Sequence, residues 1–329
     1  MHVSSVLLKG SILDPQERIE KLIASWELTL RQEFLLMVRQ IKNKLALEEV
    51  ERLLTLGQIE QAFKTVDDYV AKFAAKVNQS FIAGGEGTAG FLSENVGVVL
   101  AFDQVNFRAV DIMRANQLRL IREFGQDARE STRIALTDGI ARGLNPREQA
   151  RNFREAIGLT GKQEQAVRNY KRMLEQGNRE ALSRQLRDKR FDRTVDRAIR
   201  NGEPLTQEQI DRMVSRYRER YLKYRSETIG RTESIPAVHR GTTEMYQQAI
   251  DAGKLNKSQL EREWHVKRDE KLRDSHSYMQ GQKRLFGEPF QTGAGHLLMF
   301  PGDTSLAAPA EERLSCRCGV STRIKEAAA

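Results

Sequence analysis

Four residues toward the C-terminal end carry donor atoms that a metal ion takes: Asp269, His276, Cys316 and Cys318. An imidazole nitrogen and two thiolates suit zinc, and a carboxylate would complete a tetrahedron. The cysteine spacing argues against that set. Structural zinc usually takes Cys-x-x-Cys, whereas a Cys-x-Cys on a strand sends its two side chains to opposite faces. The reading this spacing favours needs no cofactor: Asp269 and His276 bond to each other or to backbone, and one cysteine packs inside. A thiol near a histidine is also the start of a cysteine nucleophile. No oxyanion hole or nucleophile elbow accompanies it, and the clustered carboxylates of a metal-dependent nuclease are missing, so the expectation is a protein that is not an enzyme. Cys-x-Cys is too cramped for an ordinary mutual disulfide.

The elements around these residues read as a small α+β unit over residues 226–325. Arg262-Glu263-Trp264-His265-Val266 alternates as a strand does, and further short strands are expected at 283–286, 296–300 and 314–322. Asp269 to Tyr278 reads as a polar turn and short helix that Gly281 stops. Trp264, Tyr278, Phe286, Phe290 and Phe300 supply the bulk of a core. Ahead of this unit, Ile229, Ile235, Val238, Met245 and Ile250 mark a helix from Arg225 to Asp251, and Arg231-Thr232-Glu233 lies inside it.

The rest of the chain is helical. Asp14-Pro15-Gln16-Glu17 places a cap, a first-turn proline and a capping-box glutamate in order. The apolar stripe Ile19, Leu22, Ile23, Trp26, Leu30, Phe34, Leu35, Val38, Ile41 and Leu45 then predicts about eight helical turns. A break at Leu56-Gly57 and a second stripe through Ile59, Phe63, Val66, Val70, Phe73 and Val77 predict an antiparallel helical pair over residues 1–83. Gly84-Gly85-Glu86-Gly87-Thr88-Ala89-Gly90 lacks the Gly-Lys-Ser/Thr ending of a phosphate loop and reads as a mobile linker over 84–94 or a loop that orders on assembly. Val96 to Phe107 reads as a strand or the start of a buried helix. Residues 95–225 form a basic helical region with capped corners at Asn145-Pro146-Arg147-Glu148 and Thr160-Gly161-Lys162-Gln163. The fold class is therefore mainly α with a small C-terminal α+β unit, followed by a tail at 326–329.

Lys and Arg number 54 against 45 Asp and Glu, a net charge of +9. Residues 1–100 carry 11 basic and 13 acidic side chains, so the excess lies beyond them. Residues 160–225 hold 18 basic and 10 acidic side chains, among them Arg184, Arg187, Lys189, Arg190, Arg193, Arg197 and Arg200. Such a face could meet nucleic-acid phosphates without reading sequence. The interspersed Asp and Glu equally suit intrahelical ion pairs. The start, Met1 to Lys9, has no basic lead and no small-residue cleavage site, and no apolar run approaches the ~20 residues that span a bilayer, so neither export nor a membrane partner is expected.

Read in order, Arg231-Thr232-Glu233, Trp264, Asp269, His276, Gly281, Phe300-Pro301 and Cys316-Arg317-Cys318 resemble the bacteriophage Mu F-like minor head protein family, the phage head morphogenesis domain. Phe102-Asp103 and Gly143-Leu144-Asn145-Pro146 extend the resemblance to residues 95–325. It implies a structural minor head protein of a tailed phage, present in multiple copies and associated with the portal, acting in head assembly or genome release. It further implies a place in the virion interior, with host cytoplasm during assembly, and partners among portal, scaffold or major capsid protein and packaged double-stranded DNA. Two alternatives remain open: a metal-dependent nuclease or phage-borne toxin that uses this domain for delivery, and a non-specific nucleic-acid-binding protein.

Overall fold

The capping boxes sit where helices begin. In this computed structural model, which describes residues 14–96 and 99–325, α1 runs Pro15–Lys44, α2 Leu47–Thr55, α3 Glu60–Val96 and α4 Phe107–Ala141. Asn145 and Thr160 both close reciprocal boxes, with Glu148 at the start of α5 (Pro146–Ala156) and with Gln163 at the start of α6 (Gly161–Glu175). α7 (Asp192–Asn201) ends at Gly202 in the left-handed region. α8 (Gln207–Asp251) begins 18 residues before the expected Arg225, because Thr206 and Gln209 form a capping box of their own. The Met1-to-Lys9 start and the 326–329 tail lie outside the described residues.

Among the described residues the C-terminal region is the expected α+β unit. β1 (Leu260–His265) is the central strand of an antiparallel sheet, flanked by β2 (Lys283–Leu285) and β5 (Gly319–Ile324). The short helix α9 (Asp274–Ser277) lies between β1 and β2. β3 (Phe290–Gln291) pairs with β4 (Leu297–Leu298), and α10 (Ala310–Arg313) precedes the cysteines. The last strand starts at Gly319 and not at Leu314, since Ser315 takes a φ of 55° and breaks the extended run. No helix among the described residues is long and apolar enough to cross a membrane.

The chain divides into two compact units. One comprises residues 28–79 and 107–230. Its core holds Phe34, Phe73 and Phe124, with the Arg225 guanidinium over the rings of Phe34 and Phe124 and 2.6 Å from Asp127. Glu164, fully buried, accepts from Arg168 at 2.7 Å and from Arg218 at 2.6 Å, which compensates a charge that would otherwise be costly there.

The other unit comprises residues 1–27, 80–106 and 231–329, and it corrects two expectations. The glycine-rich stretch 84–94 is not a linker; it is continuous helix within α3. Glycine there serves close packing. A Cβ at Gly84 would lie 2.3 Å from the Val238 carbonyl oxygen, and one at Gly241 would lie 1.9 Å from that of Phe81, so α3 and α8 touch backbone to backbone. Residues 99–106, expected as strand or helix, are irregular. Phe102 covers Gly85, whose Cβ would strike its ring at 2.5 Å, and the Asp103 backbone exchanges two hydrogen bonds with the Gln248 amide.

Replacing Gly241 with Ala inserts a methyl where the Phe81 carbonyl already sits. We expect a loss of about 1–3 kcal/mol or more, read as a lower urea midpoint at unchanged slope, and a variant as stable as the parent would refute the contact.

Candidate metal centre

α8 positions the site. Arg231 pairs with Glu27 of α1 at 2.8 Å, and the neighbouring Glu233 is buried. The Thr232 hydroxyl accepts from the Ser315 N–H at 3.4 Å and so anchors the turn that carries the cysteines. One helical turn further, Pro236 has no N–H to give the Thr232 carbonyl, and its ring packs on Gly302 at the end of Phe300-Pro301-Gly302. His239 stacks on Phe300, and burial together with the nearby Arg262 charge pushes its pKa down to about 3. Arg262 donates to the Met299 carbonyl and lies over the Phe290 ring. Burial lowers its pKa to about 10 against the pull of Asp303.

His276 sits on α9, held by Met279 and Gly281. The Met279 N–H donates to the His276 carbonyl, and Gly281, at φ 72°, ends the turn and donates to the Trp264 carbonyl. The imidazole is 1 % exposed and meets Cys316 and Cys318, which are 2 % and 4 % exposed. Its Nδ1 lies 3.5 Å from each Sγ, and the three donor atoms fall within 4.8 Å of one another. Both sulfurs reach one histidine because residues 316–318 form an irregular segment, which frees them from strand alternation. Trp264 meets the ring edge-on at 6.1 Å.

On the far side of the ring, Nε2 lies 2.9 Å from Glu312 Oε2, close enough for an ion contact although off the line of a good hydrogen bond. Glu312 also accepts from Ser275 at 2.9 Å and faces His296 Nδ1 at 3.3 Å. Burial alone would raise its carboxyl, but the hydrogen bonds from Ser275 and His296 hold it below the usual range. Between the thiols the proton is unequally shared. Cys316 is held well below the ordinary thiol value by the hydrogen bond from Cys318 and by His276, while Cys318 is pushed up by the same bond and by burial. The Trp264 indole N–H has no well-aligned partner and favours the Cys318 thiolate.

Asp269 does not join this cluster. Its carboxylate accepts from the Lys271 N–H at 2.9 Å and from Arg317, and these two bonds, in that order, lower its pKa. The structure therefore unites three of the four anticipated donors, and Glu312, not Asp269, is the carboxylate that meets His276, on the ring nitrogen away from the sulfurs. Sequence gave no pointer to Glu312, which lies 36 residues beyond His276. A cavity of about 540 Å³ adjoins Cys318 and is lined by Glu20, Glu27, Arg231, His265 and Arg317 among others.

The basic residues are mostly engaged. Arg187 grips Asp192 through two 2.9 Å bonds, Arg190 holds Asp188, Arg200 holds Asp196, and Arg184 meets the Met173 sulfur. Lys189, Arg193 and Arg197 stand exposed, with no ion-pair partner among the described residues.

His239 ties this framework to pH. Its folded pKa is depressed, so the unfolded chain takes up the proton first; stability is full above about pH 6.5 and falls as pH drops toward 3, by at most about 1.4 kcal/mol per pH unit. His265, lowered chiefly by burial, acts in the same direction. His239→Gln should flatten the stability profile between about pH 6.5 and 5 in urea titrations, and an unchanged slope would contradict its buried neutral state.

Residues 189–321 match the family described as Phage Mu protein F like protein. The match covers the whole run from Arg231 to Cys318. Comparison with curated proteins and with solved structures gave no match.

Proposed function

We propose, from the match of residues 189–321 to the Phage Mu protein F like family, that the chain is a structural minor head protein of a tailed phage, associated with the portal and acting in head assembly or genome release. The observation that carries this reading is the family match, which takes in every residue of the ordered C-terminal run. The use those residues make of their chemistry supports it. Trp264, His276, Cys316 and Cys318 are all buried, and Phe300-Pro301-Gly302 packs on α8, as suits a rigid unit that presents a surface. The low exposure of both sulfurs, 2 % and 4 %, supports a structural use over a nucleophilic one.

Contact with packaged DNA is part of the proposal. Exposed Lys189, Arg193 and Arg197, clustered in and next to α7, have the charge to meet phosphates without base reading. Portal, scaffold or capsid protein would then be met by other faces.

Two measurements test this. Protein composition of purified heads, full and emptied, should include this chain in both or lose it with the genome; its absence from heads and procapsids alike would overturn the assignment. Replacing Lys189, Arg193 and Arg197 together with Ala should lower the salt slope of duplex DNA binding by roughly 2–3, and an unchanged slope would remove DNA contact by these residues.

A further inference from the structure

We propose that His276 Nδ1, Cys316 Sγ and Cys318 Sγ bind one zinc ion. Geometry comes first. A tetrahedral zinc with Zn–S near 2.3 Å and Zn–N near 2.0–2.1 Å has an N···S edge of about 3.5 Å. Both N···S separations here are 3.5 Å. Both N···S edges therefore match one coordination sphere, and all three donor atoms lie within 4.8 Å of one another.

The orientation of the histidine supplies a second argument. Glu312 Oε2 lies 2.9 Å from Nε2, which favours the ring proton on that side and leaves Nδ1, 3.5 Å from both sulfurs, as the ligating nitrogen. A carboxylate behind a ligating imidazole fixes its tautomer and strengthens it as a donor. Glu312 is in turn held by Ser275 and His296, so the support is itself oriented. The Trp264 indole, edge-on to His276, has its N–H buried without a well-aligned acceptor.

Competing uses of the three residues fit less well. A disulfide between Cys316 and Cys318 would strain the one-residue bridge and leave His276 without a role. A Cys-His-Glu nucleophile needs a sulfur that substrate can approach, and exposures of 2 % and 4 % disfavour that use. Thiolate and imidazole donors favour zinc over magnesium or calcium. With three protein donors, water or another added donor takes the fourth position. The ion would tie α9 to the turn before β5, two segments also joined by Arg273 to the Leu314 carbonyl and by Glu312, which meets both Ser275 and His276.

The proposal stands apart from the head-protein reading, since metal content is measured on the purified chain without phage particles. Full-length protein isolated from zinc-supplemented medium in chelator-free buffer should hold one zinc per chain by elemental analysis. Cobalt added after refolding should give thiolate-to-cobalt charge-transfer bands and the strong visible bands of a tetrahedral site. Cys316→Ser, Cys318→Ser and His276→Gln should each remove those bands. Asp269→Asn should keep them, because Asp269 bonds Arg317 and not the donors. Glu312→Gln should weaken zinc binding about 10–100-fold while retaining the site. If the cysteine variants fail to fold, Glu312→Gln and cobalt titration of the parent chain decide the matter. Folded parent protein that holds no zinc and gives no thiolate-to-cobalt band overturns the proposal, as does a Glu312→Gln variant with unchanged affinity.

Discussion

The backbone contact between α3 and α8 is the constraint on which the C-terminal unit rests. Gly84 and Gly241 face the carbonyl oxygens of Val238 and Phe81 at distances that leave no room for a Cβ. Small residues at a helix contact allow that approach, and the resulting van der Waals gain is spread over many atoms. Once the two helices meet there, the exposed options for the rest of the unit narrow. Phe102 fills the space above Gly85, Asp103 binds Gln248, and Ile19, Leu22 and Ile23 of α1 pack near Ile235 and Val238.

From that fixed helix the α+β unit takes its bearings. Thr232 anchors the turn before the cysteines, Pro236 receives Gly302, and His239 receives Phe300. Each contact lies on a successive turn of α8, so the Arg-Thr-Glu stretch and the Phe-Pro turn belong to one surface despite some 65 residues between them. A proline inside α8 is tolerated because its ring has a packing partner where its missing N–H would have been. The buried thiols and histidine then sit in a core with Trp264, Met279, Phe290, Leu298 and Val320, where an unshared charge is costly. Sharing among His276, Glu312 and the two sulfurs is the physical answer to that cost.

In the other unit the charge excess is largely internal. Arg187, Arg190 and Arg200 bind aspartates within a few residues, and Arg168 and Arg218 converge on buried Glu164. Net charge therefore overstates what solvent or a polyanion meets. The exposed remainder at Lys189, Arg193 and Arg197 is small and local.

Local chemistry was legible in the sequence. Capping boxes at Asn145 and Thr160, the α1 stripe, the helical majority and the small C-terminal sheet all follow from periodicity and short-range hydrogen bonds. What depended on residues distant in sequence was not. Four glycines in seven residues read as a linker because nothing local says that a second helix lies against them. Cys-x-Cys is a mismatch for one ion only on an extended strand, and Ser315 and its bond to Thr232 turn the segment out of extension. Asp269 looked like a fourth donor until Arg317 claimed it, and Glu312 carried no signal until folding set it behind His276. The sequence by itself determined which residues could form helix, strand and donor set, since those are properties of neighbours along the chain; only the tertiary structure decided which donors meet and which glycines are contacts, since those depend on side chains brought together from 40 to 160 residues apart.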